Sequence, residues 1–470
     1  MDDPNNSKND SGDRAVQPAL FRRIWRSVLR GPIRPRDDTD RKRVVLTHLV
    51  LHFRPVRVPR KNVRYTHTWG LGGMSLVLFS LLAATGVLLM FVYQPSPGYA
   101  YNSILRLRDE VFFGKLVRNI HYWSANLLIV VVVLHLVRVY LTGAYYAARQ
   151  FNWVLGLALL LCVLASNFTG YLLPWNQRSY WAVTIVTGMI GYVPLIGGWL
   201  QGVIRGGGEI GSATLVNFDA AHTTLLPATI IVLMGFHFWR VRKAPGVVIP
   251  RSPEDPPDEK PETVLTLPNL LLREFSAALA LIAFVVVLSI VFDAPLGDAA
   301  NPGMSPNPAK APWYFLGFQE LLLHFDPVFS VVVIPVLALM GLFLLPYLRY
   351  DKDTSGIFMM SHEGRRVGLV AAITGVVATP LLIVADEYLL DFGGWLARVP
   401  LVVTNGLVPF GILCLAWAGF RAQLRKRYSV SNNEMIQASF VLLAVAFVIL
   451  TITGIWFRGP GMALVWPRNR

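Results

Sequence analysis

Nine long apolar runs, separated by polar or basic segments, divide the chain from residue 69 onward. Each run is close to the roughly 20 residues that a helix needs to cross a bilayer. Of the 470 residues, 54% are hydrophobic and only 15% are charged, which excludes a soluble enzyme. The pattern therefore predicts an all-α integral membrane protein. The spans are predicted at 69–93, 117–142, 151–171, 217–240, 268–293, 328–350, 367–388, 400–420 and 436–457.

Two of these runs, 114–143 and 217–239, each carry two histidines. His121 and His135 are fourteen residues apart, and His222 and His237 are fifteen apart. At about 100° per residue, a step of fourteen or fifteen residues brings the second histidine back to nearly the same side of the helix as the first. The two histidines of one helix then lie about 21 Å apart along its axis. Two such helices face to face create two stacked His–His sites.

These matched pairs favour haem over the simpler explanations. A single intramembrane histidine could merely hydrogen-bond a neighbouring helix, but ionisable groups in a bilayer are costly and usually functional. Two imidazoles alone leave a zinc tetrahedron unfilled, whereas paired imidazoles are a common way to hold haem iron in a helical bundle.

Glycines repeat at the same period as the histidines. Gly72 and Gly86 are fourteen residues apart, as are Gly156 and Gly170. Small residues also serve ordinary helix contacts in membranes, but two pairs at the histidine spacing favour clearance for a porphyrin, because glycine has no Cβ. We expect a four-helix di-haem bundle followed by four to five further transmembrane helices.

Basic residues are concentrated at one side of the predicted membrane. Residues 1–64 hold 16 Lys or Arg and 7 acidic residues, and basic amphipathic stretches at 17–30 and 44–58 are predicted to lie on the membrane surface. With the N-terminus inside, inner segments carry 29 basic residues and outer segments carry 10, as the positive-inside rule requires. A basic flank beside a first span gives no support to nucleic-acid binding.

The segment 243–267 is rich in proline and charge and is predicted to separate two modules. Two cysteines, Cys162 and Cys414, both in apolar runs, exclude a disulfide scaffold and a CxxCH haem attachment. The predicted domains are a basic tail at 1–64, the di-haem bundle at 65–242, that linker, a second part at 268–350 and extra helices at 351–470.

Two predicted outer loops, 172–216 and 294–327, are unusually long and aromatic-rich. They would lie over the His121–His222 pair, which makes them candidates for a substrate pocket. The alternative is that they only cap the bundle at the interface, where Trp and Tyr are common.

Three segments resemble a known family. RNIHYWSANLLIVVVVLHLVRVYLTG (118–143) resembles the second helix of cytochrome b6 and cytochrome b, and GYLLPWNQRSYWAVTIVTG (170–188) resembles the outer surface helices of that family. APWYFLGFQELL (311–322) occupies the place of the Pro-Glu-Trp-Tyr motif. Over roughly 60–350, the chain resembles cytochrome b6 fused to a subunit-IV-like half, as in the cytochrome bc1/b6f family.

The resemblance implies the membrane subunit of a quinol:cytochrome c (Rieske/cytochrome b) oxidoreductase. Such a subunit oxidises quinol at the outer face, carries electrons through two non-covalent b-type haems to quinone at the inner face, and builds a proton gradient. Implied partners are a Rieske iron–sulfur protein, c-type cytochrome subunits, membrane lipid and a second copy in a homodimer. The implied location is a bacterial cytoplasmic or other energy-transducing membrane.

The resemblance also implies residue roles. His121 and His222 would ligate the outer haem, and His135 and His237 the inner one. Clearance for the haems would come from four glycines: Gly72, Gly86, Gly156 and Gly170. Three arginines would bind the haem propionates: Arg118, Arg138 and Arg240. The alternative is that these side chains reach lipid headgroups.

The chain departs from the family at two places. The glutamate that takes a proton from quinol is replaced by Pro312, while Trp313 and Tyr314 remain as walls of the quinol pocket. Our hypothesis is that Glu320 or Asp326 takes over proton export. A cysteine that tethers a third haem in cytochrome b6 is replaced by Gly70, so no covalent haem is predicted there.

Two other classes share some of these features. A di-haem membrane anchor of another quinone-linked dehydrogenase or reductase would have the histidine pairs, but no subunit-IV-like half. In a transporter without a cofactor, the histidines would form a proton relay.

Overall fold

The computed structural model of the chain describes residues 20–28, 37–38, 40, 55–244, 246–255 and 261–467. Within these ranges nine helical segments are long and apolar enough to cross a membrane, so the predicted all-α membrane fold and its span count are confirmed. The segments are Leu71–Met90, Gly114–Leu141, Ala147–Leu172, Ser212–Lys243, Thr266–Val291, Phe329–Tyr347, His362–Tyr388, Val402–Arg427 and Asn432–Trp456.

Within the described residues, ten α-helices precede the linker. They are α1 (Leu20–Val28), α2 (Tyr65–Thr68), α3 (Leu71–Met90), α4 (Ala100–Asp109), α5 (Gly114–Leu141), α6 (Gln150–Leu172), α7 (Gln177–Ile190), α8 (Gly197–Arg205), α9 (Ser212–Ala220) and α10 (Leu226–Lys243). Seven more follow the linker: α11 (Thr266–Val291), α12 (Leu316–His324), α13 (Ile334–Leu344), α14 (His362–Tyr388), α15 (Phe392–Trp395), α16 (Val408–Arg427) and α17 (Asn432–Trp456).

Three of the spans contain a π-helical turn just before a proline. Proline lacks the N–H that would close an α-helical bond to the carbonyl four residues earlier, and a π-turn is one way in which a helix accommodates an extra residue. The turns are Ala221–Leu225 before Pro227, Phe329–Val333 before Pro335, and Val402–Leu407 before Pro409.

The first four spans form a bundle with a continuous apolar core. Leu78 of α3, Leu128 and Ile129 of α5 and Val163 of α6 are buried together, and Val285 of α11 completes the cluster. The helix after the linker is therefore packed directly onto the bundle.

The basic tail and the linker are joined by a small antiparallel ribbon. Strand β1 (Arg57–Pro59) pairs with β2 (Thr263–Leu265), with Val58 opposite Val264. The linker therefore ends in a strand that holds the tail. Helix α1 falls within the predicted surface segment 17–30, whereas most of the second predicted segment, 44–58, lies outside the described residues.

Two of the last helices pack through small residues. A Cβ on Gly375 of α14 would lie 2.9 Å from Val445 of α17, and one on Gly454 of α17 would lie 3.0 Å from Leu316 of α12. Close backbone approach at small residues is the usual basis of helix association in membranes. Helix α17 thus connects the C-terminal helices to the segment that follows Trp313 and Tyr314.

Candidate haem-binding sites

His121 of α5 and His222 of the π-turn face each other across the bundle. Their ring centres are 6.2 Å apart and the ring planes are inclined by 71°. A metal–imidazole bond is about 2 Å long, so two imidazoles on opposite sides of one ion have ring centres about 6 Å apart. The spacing fits one metal ion between the two rings.

Hydrogen bonds fix the orientation of both rings. The Thr85 hydroxyl donates to the Leu81 carbonyl at 2.6 Å, so its oxygen accepts from Nδ1 of His121 at 2.9 Å. Nδ1 of His222 donates to the Ser166 carbonyl at 2.8 Å. Because each Nδ1 carries a proton, each Nε2 is left available as a metal ligand.

His135 and His237 form the second pair, at the other end of the same two helices. The two histidines of the same helix are fifteen residues apart in one helix and fourteen apart in the other, yet both spacings bring them to matching positions. The π-turn explains this difference. A π-turn holds one more residue than an α-turn, and Ala221–Leu225 contains His222. Pro227 was the sequence signal for this turn.

Each of the four predicted glycines lies against a different histidine. A Cβ on Gly86 would lie 3.3 Å from Cε1 of His121, and one on Gly72 would lie 3.3 Å from Cε1 of His135. On α6, a Cβ at Gly156 would lie 3.6 Å from His237, and one at Gly170 would overlap the His222 ring. The glycines therefore keep open the space beside the rings, which is where a flat macrocycle would lie.

The three predicted propionate-binding arginines have backbone partners. Arg118 donates to the carbonyls of Ala294 and Pro295 at 2.8 and 2.9 Å. Arg240 donates to the carbonyls of Ser27 and Val28, the last of these at 3.0 Å. It therefore caps helix α1, a contact that the sequence did not suggest.

Arg138 has a different environment. Its Nε donates to the His67 carbonyl at 3.0 Å, and Nη2 lies 3.0 Å from Nε2 of the same residue. Among the described residues, no carboxylate lies within ion-pair distance of it. Burial and the Arg138 charge lower the pKa of His67 to about 4, although a hydrogen bond to Val248 opposes this. An anion would relieve this arrangement.

The segment around Trp313 and Tyr314 lies against the same bundle. Nε1 of Trp313 donates to Oδ1 of Asn126 at 2.7 Å. The ring of Phe315 lies 5.6 Å from that of Phe168, two residues before Gly170. The buried Tyr314 hydroxyl has no hydrogen-bond partner among the described residues. These side chains are therefore at the end of the bundle that holds His121 and His222.

The two long loops contact each other. Gln177 N donates to the Asp298 carbonyl at 2.9 Å, and Ala300 N donates to the Trp175 carbonyl at 3.1 Å. A groove of about 720 Å³ lies elsewhere, between α3, α5 and α11, and its lining includes none of residues 313–320.

Glu320 is completely buried and belongs to a cluster of five ionisable residues. The Arg458 guanidinium binds it, with Nη2 2.7 Å and Nε 3.0 Å from Oε1. His324 joins the cluster through Nε2, which lies 3.3 Å from the same oxygen, and through Nδ1, which lies 2.7 Å from Asp386. Arg458 also pairs with Glu387 at 2.8 Å.

Opposing effects set the ionisation of this cluster. Burial would raise the pKa of Glu320, but the hydrogen bonds and charges of His324 and Arg458 outweigh it and lower the pKa. Burial would likewise lower the pKa of His324, but Asp386 and Glu320 raise it to about 9. Of these five residues the sequence suggested only Glu320; the alternative that it offered, Asp326, is not part of the cluster. The i,i+4 spacing of Glu320 and His324 was the available signal for the second residue.

The fold and the paired histidines define a membrane-embedded, haem-binding electron-transport protein. Residues 58–245 match the family described as cytochrome b/b6/petB, and residues 299–377 match cytochrome b(C-terminal)/b6/petD. The chain belongs to the cytochrome b/b6 family and joins b6-like and petD-like parts in one polypeptide. The resemblance seen in the sequence is confirmed, and the second match continues past the predicted boundary at 350.

Known proteins of similar sequence include cytochromes b6. The chain is 41% identical to cytochrome b6 of Prochlorococcus marinus (strain MIT 9515) over 185 residues, which is 39% of this chain and 83% of that protein. It is equally similar to cytochrome b6 of Desmonostoc sp. (strain PCC 7906), where the match covers 84% of the relative. Its fold is similar to that of a chain of a hyperthermophilic respiratory Complex III, with a TM-score of 0.62, 23% identity, and coverage of 88% of this chain and 96% of that one.

Proposed function

We propose that the chain is the cytochrome b subunit of a quinol:cytochrome c oxidoreductase that oxidises quinol at one membrane face and reduces quinone at the other. The observation that carries this proposal is that two pairs of histidines face each other and that each histidine ring has a glycine beside it. The 6.2 Å spacing of the His121 and His222 rings fits one metal ion, and four glycines leave room beside the four rings.

In this proposal His121 and His222 hold one b-type haem, and His135 and His237 hold the other. Bound haem supplies one-electron redox chemistry. The two ligand pairs are separated by about 21 Å along the helix axes, so two carriers bound there would lie across most of a hydrocarbon layer of about 30 Å. Gly72, Gly86, Gly156 and Gly170 provide clearance for both groups.

Of the three arginines, Arg138 is the best placed for a propionate. It is one helical turn from His135 and lacks a carboxylate partner within the described residues. Arg118 and Arg240 would bind propionates only by sharing donors with the carbonyls that they already contact.

Quinol is proposed to bind beside Trp313 and Tyr314. The hydrogen bond from Trp313 to Asn126 holds the indole, and the buried Tyr314 hydroxyl offers an unused polar group. Pro312 cannot titrate, so Glu320 is our proposed proton acceptor. Asp326 is less suited, because within the described residues it has no hydrogen bond or ion pair to another ionisable side chain that could pass the proton on.

The proposed partners are a Rieske iron–sulfur protein, c-type cytochrome subunits and a second copy of the chain. The proposed location is a bacterial cytoplasmic or other energy-transducing membrane, with the N-terminus inside. The excess of basic residues on one side supports that orientation. No covalent haem is proposed at Gly70, which has a left-handed backbone with φ of 64° and packs against Tyr65.

A stepwise redox titration of the purified chain, followed by haem absorbance, tests this function. An alkaline pyridine extraction of the same sample measures haem that is not covalently bound. Two centres that titrate at separate potentials, with all haem extractable, are expected. Absence of a haem band would refute the proposal and favour a transporter, and haem that resists extraction would refute the expectation at Gly70.

A further inference from the structure

The five ionisable residues around Glu320 come from three separate elements. Glu320 and His324 lie on α12, Asp386 and Glu387 lie near the end of α14, and Arg458 follows α17. The cluster therefore joins the segment after Trp313 and Tyr314 to the C-terminal helices. It lies at the same end of the bundle as the His121–His222 pair, because Phe315, five residues before Glu320, contacts Phe168 of α6.

Three of these residues form a continuous hydrogen-bonded series from the interior to the surface. Glu320 has a side-chain exposure of 0%, His324 of 8% and Asp386 of 29%. Nε2 of His324 lies 3.3 Å from Glu320, and Nδ1 lies 2.7 Å from Asp386. The imidazole thus has one nitrogen toward a fully buried carboxylate and the other toward a partly exposed one.

The charge balance leaves room for an additional proton. Three carboxylates face one guanidinium and one imidazole, so the cluster has a net negative charge even when His324 is protonated. Isolated charge is costly in a region of low dielectric constant, so a proton entering the cluster brings it closer to neutrality. When Glu320 is protonated, Arg458 keeps a charged partner in Glu387, 2.8 Å away.

We propose that Glu320, His324 and Asp386 form the route by which a proton released from quinol reaches water. Asp386 of helix α14 would be the residue that releases the proton. This inference rests on the proposed quinol oxidation. It extends that proposal to His324 and Asp386, which have no assigned role.

The proton balance of this route is simple. An O–H bond of quinol breaks and an O–H bond forms on the Glu320 carboxylate, while the electrons leave by the proposed electron-transfer path. The next transfer uses the neutral form of His324 with its proton on Nδ1: the proton passes from Glu320 to Nε2 as the Nδ1 proton passes to Asp386, which releases it to water. A turn of the ring then restores the starting tautomer. Arg458 Nη2, 3.4 Å from Nε2 of His324, remains charged and keeps Glu320 in place.

The competing explanation is that the cluster only fastens α12 to the C-terminal helices. Substitutions at two adjacent residues on α14, Asp386 and Glu387, distinguish the two explanations. Asp386 and Glu387 have similar side-chain exposures, 29% and 25%, and each gives the cluster one negative charge and one contact. Only Asp386 contacts His324, whereas Glu387 contacts Arg458. Glu387→Gln is therefore a matched control for Asp386→Asn.

The experiment compares these variants in the purified complex. We would measure the steady-state oxidation of a short-chain quinol with cytochrome c as acceptor, between pH 5.5 and 9, in H₂O and D₂O, together with haem content and Tm. We expect Asp386→Asn to lower kcat by about tenfold or more, with KM little changed and a larger solvent isotope effect. Because the Asp386 carboxylate helps to raise the pKa of His324, the rate–pH profile of Asp386→Asn should also shift to lower pH. Glu387→Gln removes an equal charge but no hydrogen bond of the route, so its loss of kcat should be clearly smaller than that of Asp386→Asn.

Equal losses of rate and Tm in both variants would overturn the proposal in favour of a purely structural cluster. A wild-type rate in Asp386→Asn would also overturn it. If Asp386→Asn fails to assemble, His324→Gln tests the route instead. Glutamine keeps a hydrogen-bond donor but cannot carry the proton. An assembled His324→Gln complex with the wild-type kcat would therefore refute the route. A wild-type complex that binds haem but oxidises no quinol would instead refute the proposed function.

Discussion

Substituting Gly170 by alanine should selectively remove the haem held by His121 and His222. The new Cβ would overlap the His222 ring, and a ring that ligates iron cannot turn away without losing its bond. Overpacking of this kind costs about 1–3 kcal/mol. Since about 1.4 kcal/mol corresponds to a factor of ten, haem affinity at this site should fall by roughly 5- to 150-fold.

Gly156→Ala is the matched control on the same helix. Its Cβ would lie 3.6 Å from His237, an ordinary van der Waals distance. Both substitutions gain about 1 kcal/mol of helix propensity, so the difference between the variants isolates the steric effect. The ring overlap at Gly170 and the open contact at Gly156 therefore predict opposite outcomes for two chemically identical changes.

The assay is the haem-to-protein ratio from pyridine extraction, combined with a redox titration. Gly170→Ala should lose one of two titration steps and up to half of its haem, while Gly156→Ala keeps both. The reasoning is refuted if Gly170→Ala retains both haems at unchanged potentials, or if Gly156→Ala is the variant that loses haem.

Three further outcomes are expected. Glu320→Gln should lower the kcat of quinol oxidation at least about tenfold with both haems retained, and unchanged turnover would contradict its role as proton acceptor. Arg240→Ala should speed proteolysis within α1, because lost hydrogen bonds from a charged donor cost about 1.5–3 kcal/mol each; Arg242→Ala serves as control, and equal cleavage of the two would contradict the capping contact. The wild type should lose stability as pH falls from about 6.5 to about 4, because the lowered pKa of His67 lets the unfolded state bind the proton first. Melting curves of His67→Gln should show a smaller loss, and parallel curves would contradict this assignment.

Features that depend on local periodicity were predictable from the sequence. The nine spans follow from apolar runs of membrane length, and the order of the two histidine pairs follows from residues fourteen and fifteen apart. Glycines at the same period were predicted to provide clearance, and each lies against a histidine ring. One local signal was missed: Pro227 marks the π-turn that contains His222.

Contacts between distant parts of the chain were not predictable in the same way. Arg240 was predicted to bind a propionate or a lipid phosphate, but it caps a helix more than 200 residues earlier in the chain. Arg118, with the same predicted role, holds the carbonyls of Ala294 and Pro295. A guanidinium can satisfy its donors with any acceptor, so its partner depends on which chain segments pack nearby.

By itself, the sequence determined the membrane-spanning architecture and the positions of the four histidines, because hydrophobic length and helical period are properties of neighbouring residues. Only the tertiary structure decided that Glu320 is buried against Arg458, 138 residues away, and connected through His324 to Asp386. The physical reason is that the cost of burying a charge is offset only by a partner that packing brings within bonding distance.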